Sequence, residues 1–233
     1  MTEAARPASP PRGLFISFEG TEGCGKTTQM RLLVDGLRRC GFAVTSNQEP
    51  GATSIGRQIR RLLLDPAHQE MSAMTELLLM FASRAQAASE IILPALARGD
   101  VVVSDRFTDS TLAYQGAGRG LGFDTVLKAH RIAVGSLYPH LTLCIAVDVE
   151  TGLNRAHHRN QTTHLPVTET RLDQQSLEFH LRVSAGYQKI AQLEPSRFRM
   201  VNGEGDIVSV GERVWAEVNP LLCKTYDTQN TNR

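Results

Sequence analysis

Short apolar runs alternate along this chain with longer stretches in which apolar residues recur every three or four positions. "LFISF" (14–18) suits a strand buried on both faces. After a glycine-studded loop, Met30, Leu33, Val34 and Leu37 fall on one helical stripe opposite Arg31, Asp35, Arg38 and Arg39. "CGF" turns the chain into a second strand, "AVTSN", and helical patterns follow at about 54–64 and 73–98. "DVVVSD" (100–105) reads as a third buried strand and "LTLCIAVD" (141–148) as a fourth, with helices between them up to about Ser136. A helix from about Leu172 to Leu193, a short strand "RFRMV" and a closing helix from about Asp206 to Val218 complete the pattern. Strands alternating with helices predict an α/β fold around a five-stranded parallel sheet with right-handed crossovers.

The pattern lapses in three places. Residues 1–12 and the polar residues from Lys224 have nothing to bury and predict frayed tails around a single domain spanning 13–223. From Arg155 to Gln175 the chain is polar, holds a proline and carries Arg155, His157, His158, Arg159, His164 and Arg171, which predicts a mobile lid. The lid histidines have no carboxylate or cysteine in metal-binding register and read as exposed polarity.

The chain has 233 residues, with 25 lysines and arginines against 24 acidic residues, so its net charge of +1 supplies no bulk attraction to nucleic acid or an anionic membrane. Four cysteines lie without a CxxC pair or metal spacing, which predicts a reducing compartment. No run approaches a membrane span and the opening residues lack a signal-peptide core, so a soluble, cytoplasmic protein is expected.

The chemistry concentrates in "FEGTEGCGKTTQ" (18–29). Gly20, four residues, then Gly25, Lys26 and Thr27 match G-x-x-x-x-G-K-[ST], between a strand and an amphipathic helix. Gly20, Thr21, Glu22, Gly23, Cys24 and Gly25 can turn backbone amides around phosphate oxygens, Lys26 supplies a point charge, and Thr27 offers a hydroxyl to Mg²⁺. A nucleoside triphosphate with Mg²⁺ is the expected ligand, which covers GTPases, motor ATPases and small-molecule kinases alike. Glu22 is acidic where phosphates come close, so it should face an acceptor hydroxyl or a metal. Cys24 is read as a small residue that fits, without a redox role. Asp105 ends the third strand beside Arg106, at the carboxyl edge where open α/β sheets bind ligands, which suits a metal ligand beside a phosphoryl clamp.

The segments "FEGTEGCGKTTQ", "QEPGATSIGRQIRRLLL", "FASRAQ", "PALARGDVVVSDRFTDSTLAYQGAGRG" and "RLDQQSLEFHLRVSAGYQKIA" together resemble the bacterial thymidylate kinases, in order from about Leu14 to Val218. The resemblance implies a P-loop nucleoside monophosphate kinase fold with a mobile lid, an enzyme that moves the ATP γ-phosphate onto dTMP, and a homodimer formed by helix faces such as 76–81 and 125–137. It implies that Glu49 and Pro50 begin the loop nearest the monophosphate, that Arg84 reaches the thymine edge or the acceptor phosphate, and that Arg106 clamps phosphates. Ser110, Thr111, Tyr114 and Gln115 would line the sugar and base. Taken singly, Ser110 and Thr111 read more often as helix N-terminal caps.

Two departures from that family and one difference from its eukaryotic relatives stand out. Met80 occupies the place of a thymine-stacking aromatic and Phe81 follows it, so either Met80 packs on the base or Phe81 reaches round to it. Gln48 and Ala52 replace a usual arginine and glycine. Gly23 stands where the eukaryotic relatives carry an arginine, which sends the search for a transition-state cation to the lid: Arg159 matches the bacterial lid arginine, with Arg155 and Arg171 as alternates. Asp148 could orient a lid arginine or cap a helix, and Arg60 and Arg61 read as structural. The rivals are a kinase for another monophosphate or a deoxynucleoside, and a nucleotide-sensing switch, although a GTPase-type NKxD motif is absent.

Overall fold

The computed structural model describes residues 13–162 and 170–230. Strands β1 (Leu14–Glu19), β2 (Val44–Gln48), β3 (Val101–Asp105), β4 (Leu141–Ala146) and β5 (Phe198–Asn202) form one parallel sheet in the order β2-β3-β1-β4-β5. Because β1 sits between β3 and β4, the strand order reverses at its carboxyl end. A crevice opens there, the usual ligand position in such sheets.

Helices α1 (Lys26–Arg39), α2 (Ser54–Leu64), α3 (Ala73–Ala87), α4 (Leu93–Arg98), α5 (Thr108–Thr111), α6 (Phe123–Val134), α7 (Val149–Thr162), α8 (Leu177–Leu193) and α9 (Ile207–Asn230) flank the sheet. Side chains of β1 alternate between its faces. Leu14, Ile16 and Phe18 pack with Leu33 and Leu37 of α1 and Val214 and Val218 of α9, whereas Phe15 packs oppositely with Phe107, Ile92 and Leu96. Ser17 and Glu19 share the Phe15 face and are fully buried. Ser17 bonds Thr142 at 3.0 Å, and Glu19 is carried to the crevice.

The expected helix over 73–98 is divided. A π-helical stretch, Ala88–Ile92, separates α3 from α4, and Pro94, which has no N–H to continue an i→i−4 ladder, lies in the first turn of α4. Helix α8 begins at Leu177, later than the apolar pattern predicts, because the Ser176 hydroxyl accepts from the Phe179 amide and caps it there. Helix α9 continues through Pro220 to Asn230, into residues read as a tail, because Leu222 extends its buried stripe onto the α1 side of the core. Helix α7 continues to Thr162, well into the span expected as a lid. The tail residues 1–12 and 231–233 lie outside the described residues, as do 163–169 of the lid span, with His164 among them, and the Arg159 side chain.

Candidate active site

The loop after β1 turns on glycines in left-handed conformations. Gly23 has φ +64° and Gly25, which precedes α1, has φ +87°. A Cβ at Gly23 would lie 1.9 Å from the Gly152 carbonyl oxygen, so the first turn of α7 is seated directly on the loop. No arginine fits at that position with α7 where it is. Cys24 packs into the core beneath the loop, and burial raises its thiol pKa, the opposite of thiolate activation by neighbouring amides.

Lys26 and Thr27 open α1 and meet the end of β3. Lys26 Nζ lies 2.6 Å from Asp105 Oδ1, and the Thr27 hydroxyl donates to Asp105 Oδ2 at 3.3 Å. Burial raises the Asp105 pKa, but the Lys26 and Arg106 charges outweigh it and hold the carboxyl below the usual range. Arg106, at φ +70°, is the one non-glycine residue with positive φ among the described residues. This conformation is costly for a bulky side chain and tends to cluster at functional sites. Its backbone is held by a hydrogen bond to Phe18 O at 2.9 Å and one from the Ser104 hydroxyl at 2.6 Å.

The Arg106 guanidinium joins the loop to the opposite wall. Nη2 lies 3.2 Å from Glu22 Oε1 and donates to the Tyr114 hydroxyl at 3.1 Å, while Nη1 donates to Ser110 at 3.0 Å and Tyr187 at 3.2 Å. Tyr114 also donates to Glu22 at 2.6 Å. Against the upward push of burial, Arg106, Tyr114 and Lys26 together hold Glu22 below the ordinary carboxylate range. Glu22 is therefore ionised at neutral pH.

That wall is built by α3, α5 and the π-helical stretch Leu112–Gly118. Arg84 is buried, with Nε 2.5 Å from Glu49 Oε2, Nη1 donating to Thr111 at 3.0 Å and Nη2 to Phe107 O at 3.1 Å. Met80 lines the space beside it, whereas Phe81 is packed with Leu77 and Leu112, its ring 4.8 Å from the Arg84 guanidinium. Ser110 and Thr111 lie within α5 and bond arginines instead of capping a helix.

One cavity of about 740 Å³ runs between loop and wall. Thr21 through Thr27 line it on one side, with Asp105 and Arg106 at its floor. Glu49, Pro50, Met80, Arg84, Ser110, Thr111, Tyr114 and Gln115 line it on the other. Gly20 and Phe81 are not on its surface. Gly20, at φ +142°, instead lets the chain pass the Ile145 carbonyl, which a Cβ there would approach within 2.6 Å.

Arg171 and Arg60 depart from expectation. Arg171, an alternate lid arginine, is 1% exposed and held by Glu76 at 2.6 Å and Leu63 O at 2.5 Å; Arg119 and Gln115 also bond Glu76. It is part of the wall's foundation. Asp148 caps α7 by accepting from the Thr151 amide at 2.9 Å. Arg155 is exposed on α7. Arg60, read as structural, lines the cavity and donates to Pro50 O at 2.8 Å. Glu19 and Tyr187 were not singled out from the sequence. The only signal for Glu19 was a carboxylate ending a buried strand, and Tyr187, 81 residues from Arg106, had none.

A glycine-bearing loop faces an arginine-bearing wall across one cavity, an arrangement suited to passing a phosphoryl group between two bound nucleotides. The fold is that of the P-loop nucleoside monophosphate kinases. The family model described as thymidylate kinase matches residues 18–214. A thymidylate kinase of Pelobacter propionicus is 46% identical over 206 residues, covering 88% of this chain and 94% of that protein. One from a Synechococcus strain is 47% identical over 211 residues, covering 90% and 96% respectively. A crystal structure of thymidylate kinase from Ehrlichia chaffeensis superposes with a TM-score of 0.71 at 30% identity, covering 89% of this chain and 98% of that one. The chain belongs to the thymidylate kinase family, and its reaction is phosphorylation of dTMP to dTDP with ATP.

Proposed function

We propose that the two sides of the cavity divide the reaction between them, with ATP on Gly20–Thr27 and dTMP against the wall of Arg84, Ser110, Thr111, Tyr114 and Gln115. The observation that carries this reading is Arg106, which touches Glu22 on the loop and Ser110 and Tyr114 on the wall at once. A guanidinium placed between donor and acceptor suits a phosphoryl group in transit, whose charge is spread over three oxygens. Lys26, released from Asp105 as phosphates enter, would neutralise the donor side. Glu22, ionised and hydrogen-bonded to Tyr114, would face the acceptor. Met80 gives the thymine an apolar surface, and Pro50 and Glu49 shape the phosphate end.

The donor set also fits Mg²⁺. The Thr27 hydroxyl and Asp105 carboxylate are hard oxygens that already share a hydrogen bond, and no cluster of three acidic, histidine or cysteine ligands exists among the described residues. Such a sparse set suits an ion that keeps waters and binds substrate phosphates. When bound, Mg²⁺ supplies neutralisation of charge on the β- and γ-phosphates. The seating of α7 on Gly23 supports a transition-state cation supplied from farther along α7, and Arg159 is the candidate. Arg60 adds charge beside the loop where Gln48 adds none.

The apolar residues Met74 and Leu78 of α3 and Ile132 of α6, the last 88% exposed, support a homodimer through these helices. We read the protein as a cytoplasmic enzyme acting on small molecules and not on nucleic acid; no helix among the described residues is long and apolar enough to cross a membrane. A coupled assay of ADP release tests the reading across dTMP, dUMP, dCMP, AMP and GMP. Preferred turnover of AMP or GMP, or nucleotide binding without monophosphate-stimulated ATP consumption, would sink it.

A further inference from the structure

Glu19 ends β1 with its carboxylate fully buried, and no lysine or arginine among the described residues forms an ion pair with it. Its three partners are instead neutral donors. Oε1 accepts from the Phe107 amide at 2.8 Å, and Oε2 accepts from the hydroxyls of Ser110 and Tyr187, the latter at 3.2 Å. All three lead to Arg106. Phe107 directly follows the residue with φ +70°, and the Ser110 and Tyr187 hydroxyls each accept from Arg106 Nη1.

We propose that Glu19 is a positioning residue for Arg106. Its carboxylate fixes the strained backbone turn through the Phe107 amide and orients the Ser110 and Tyr187 hydroxyls as acceptors toward the guanidinium. The physical reason is direction. A hydroxyl has one proton, and once that proton is committed to Glu19 only lone pairs remain to face the arginine. A protonated Glu19 would have to donate to one of these hydroxyls and turn its proton away, in a buried place where a lost partner is costly.

The ionisation that this orientation needs falls in a useful range. Burial and the neighbouring Asp109 push the Glu19 pKa up to about 7, against the opposing pull of Arg106. The groups facing it are Arg106 after β3, Asp109 and Ser110 of α5, Tyr187 of α8 and Cys144 of β4, with Asp109 itself bound by Arg197 of β5.

This inference rests on Arg106 acting as the phosphate clamp, and kinetics on the full-length enzyme separate the two claims. Glu19→Gln keeps the shape but replaces one acceptor with a donor. It should unfold cooperatively yet lose at least tenfold in kcat/KM for dTMP at about pH 8. The native-to-variant ratio should shrink as pH falls through about 7, where native Glu19 takes up its proton. Ionisation of the dTMP phosphate affects both enzymes alike and cancels in that ratio. Tyr187→Phe should lose severalfold alone and add nothing to Glu19→Gln, because both act through one path. A kcat/KM within twofold of native for Glu19→Gln, a flat ratio, or additive losses would overturn the proposal. If Glu19→Gln fails to fold, Ser110→Ala and Tyr187→Phe, which retain Glu19 and its Phe107 bond, decide: severalfold losses support the proposal and native-like values end it. Near-native Arg106→Ala would instead remove the clamp itself, whereas inactive Arg106→Ala beside native-like Glu19→Gln sinks only this inference.

Discussion

The loop from Gly20 to Thr27 and the wall across from it do comparable jobs by different means. The loop is eight consecutive residues which, on the function proposed, would work mainly through backbone amides, with conformations set by glycines at positive φ. The wall works through side chains, and its central residue, Arg106, is bonded to residues 22, 110, 114 and 187 from three separate parts of the chain. A site made of backbone can be carried as a short word in the sequence. A site made of side chains exists only once the fold has brought its members together.

Substitutions should expose that contrast. Lys26→Ala removes the one positive charge the loop contributes, and turnover should fall roughly a thousandfold while unfolding stays cooperative. A Lys26→Ala enzyme with near-normal dTDP production would break the assignment of the loop. On the wall, Glu76→Ala should act on stability before chemistry, because it strands Arg171 and leaves Arg119 without its carboxylate. Removing one partner of a buried ion pair costs about 3–5 kcal/mol, which chemical denaturation would register; a loss below about 1 kcal/mol would show that the foundation is not Glu76.

Gly23→Ala probes where loop and fold meet. The added methyl opposes both the φ of +64° and the Gly152 carbonyl 1.9 Å away, so α7 must lift or the loop must shift. About 1–3 kcal/mol of destabilisation and a raised KM for ATP are expected, and an unchanged Tm would mean that α7 does not rest on the loop. The smallest effect should come from Met80→Ala, which strips an apolar surface from the cavity. The KM for dTMP should rise about fivefold with kcat little changed, as expected for the loss of roughly 1 kcal/mol of apolar contact. An equal effect from Phe81→Ala on KM alone would return the base contact to Phe81.

The α/β order was legible because buried parallel strands and amphipathic helices carry distinct periods, as in "LFISF" and the stripe from Met30 to Leu37. The phosphate loop was legible because its glycine spacing acts on its own backbone. Boundaries were less so: Ser176 moved the start of α8, and Leu222 drew α9 past a polar stretch that by composition looked like a tail. Polar residues proved hardest to read, because a charged side chain looks alike on a mobile lid and in a buried pair. Arg171 and Arg155 are both arginines in one polar segment, yet the first is buried against Glu76, 95 residues away, and the second is exposed.

By itself, then, the sequence determined the layered fold, the phosphate cradle and the carboxylate–arginine step at the end of β3, because each depends on neighbours within a few residues. Only the tertiary structure decided that Met80 faces the cavity while Phe81 does not, that Gly23 must be small because α7 sits on it, and that Glu19 stands behind Arg106. Those outcomes depend on which face of β1, α3 and α8 turns toward the crevice. Long-range packing sets that choice, and no local pattern records it.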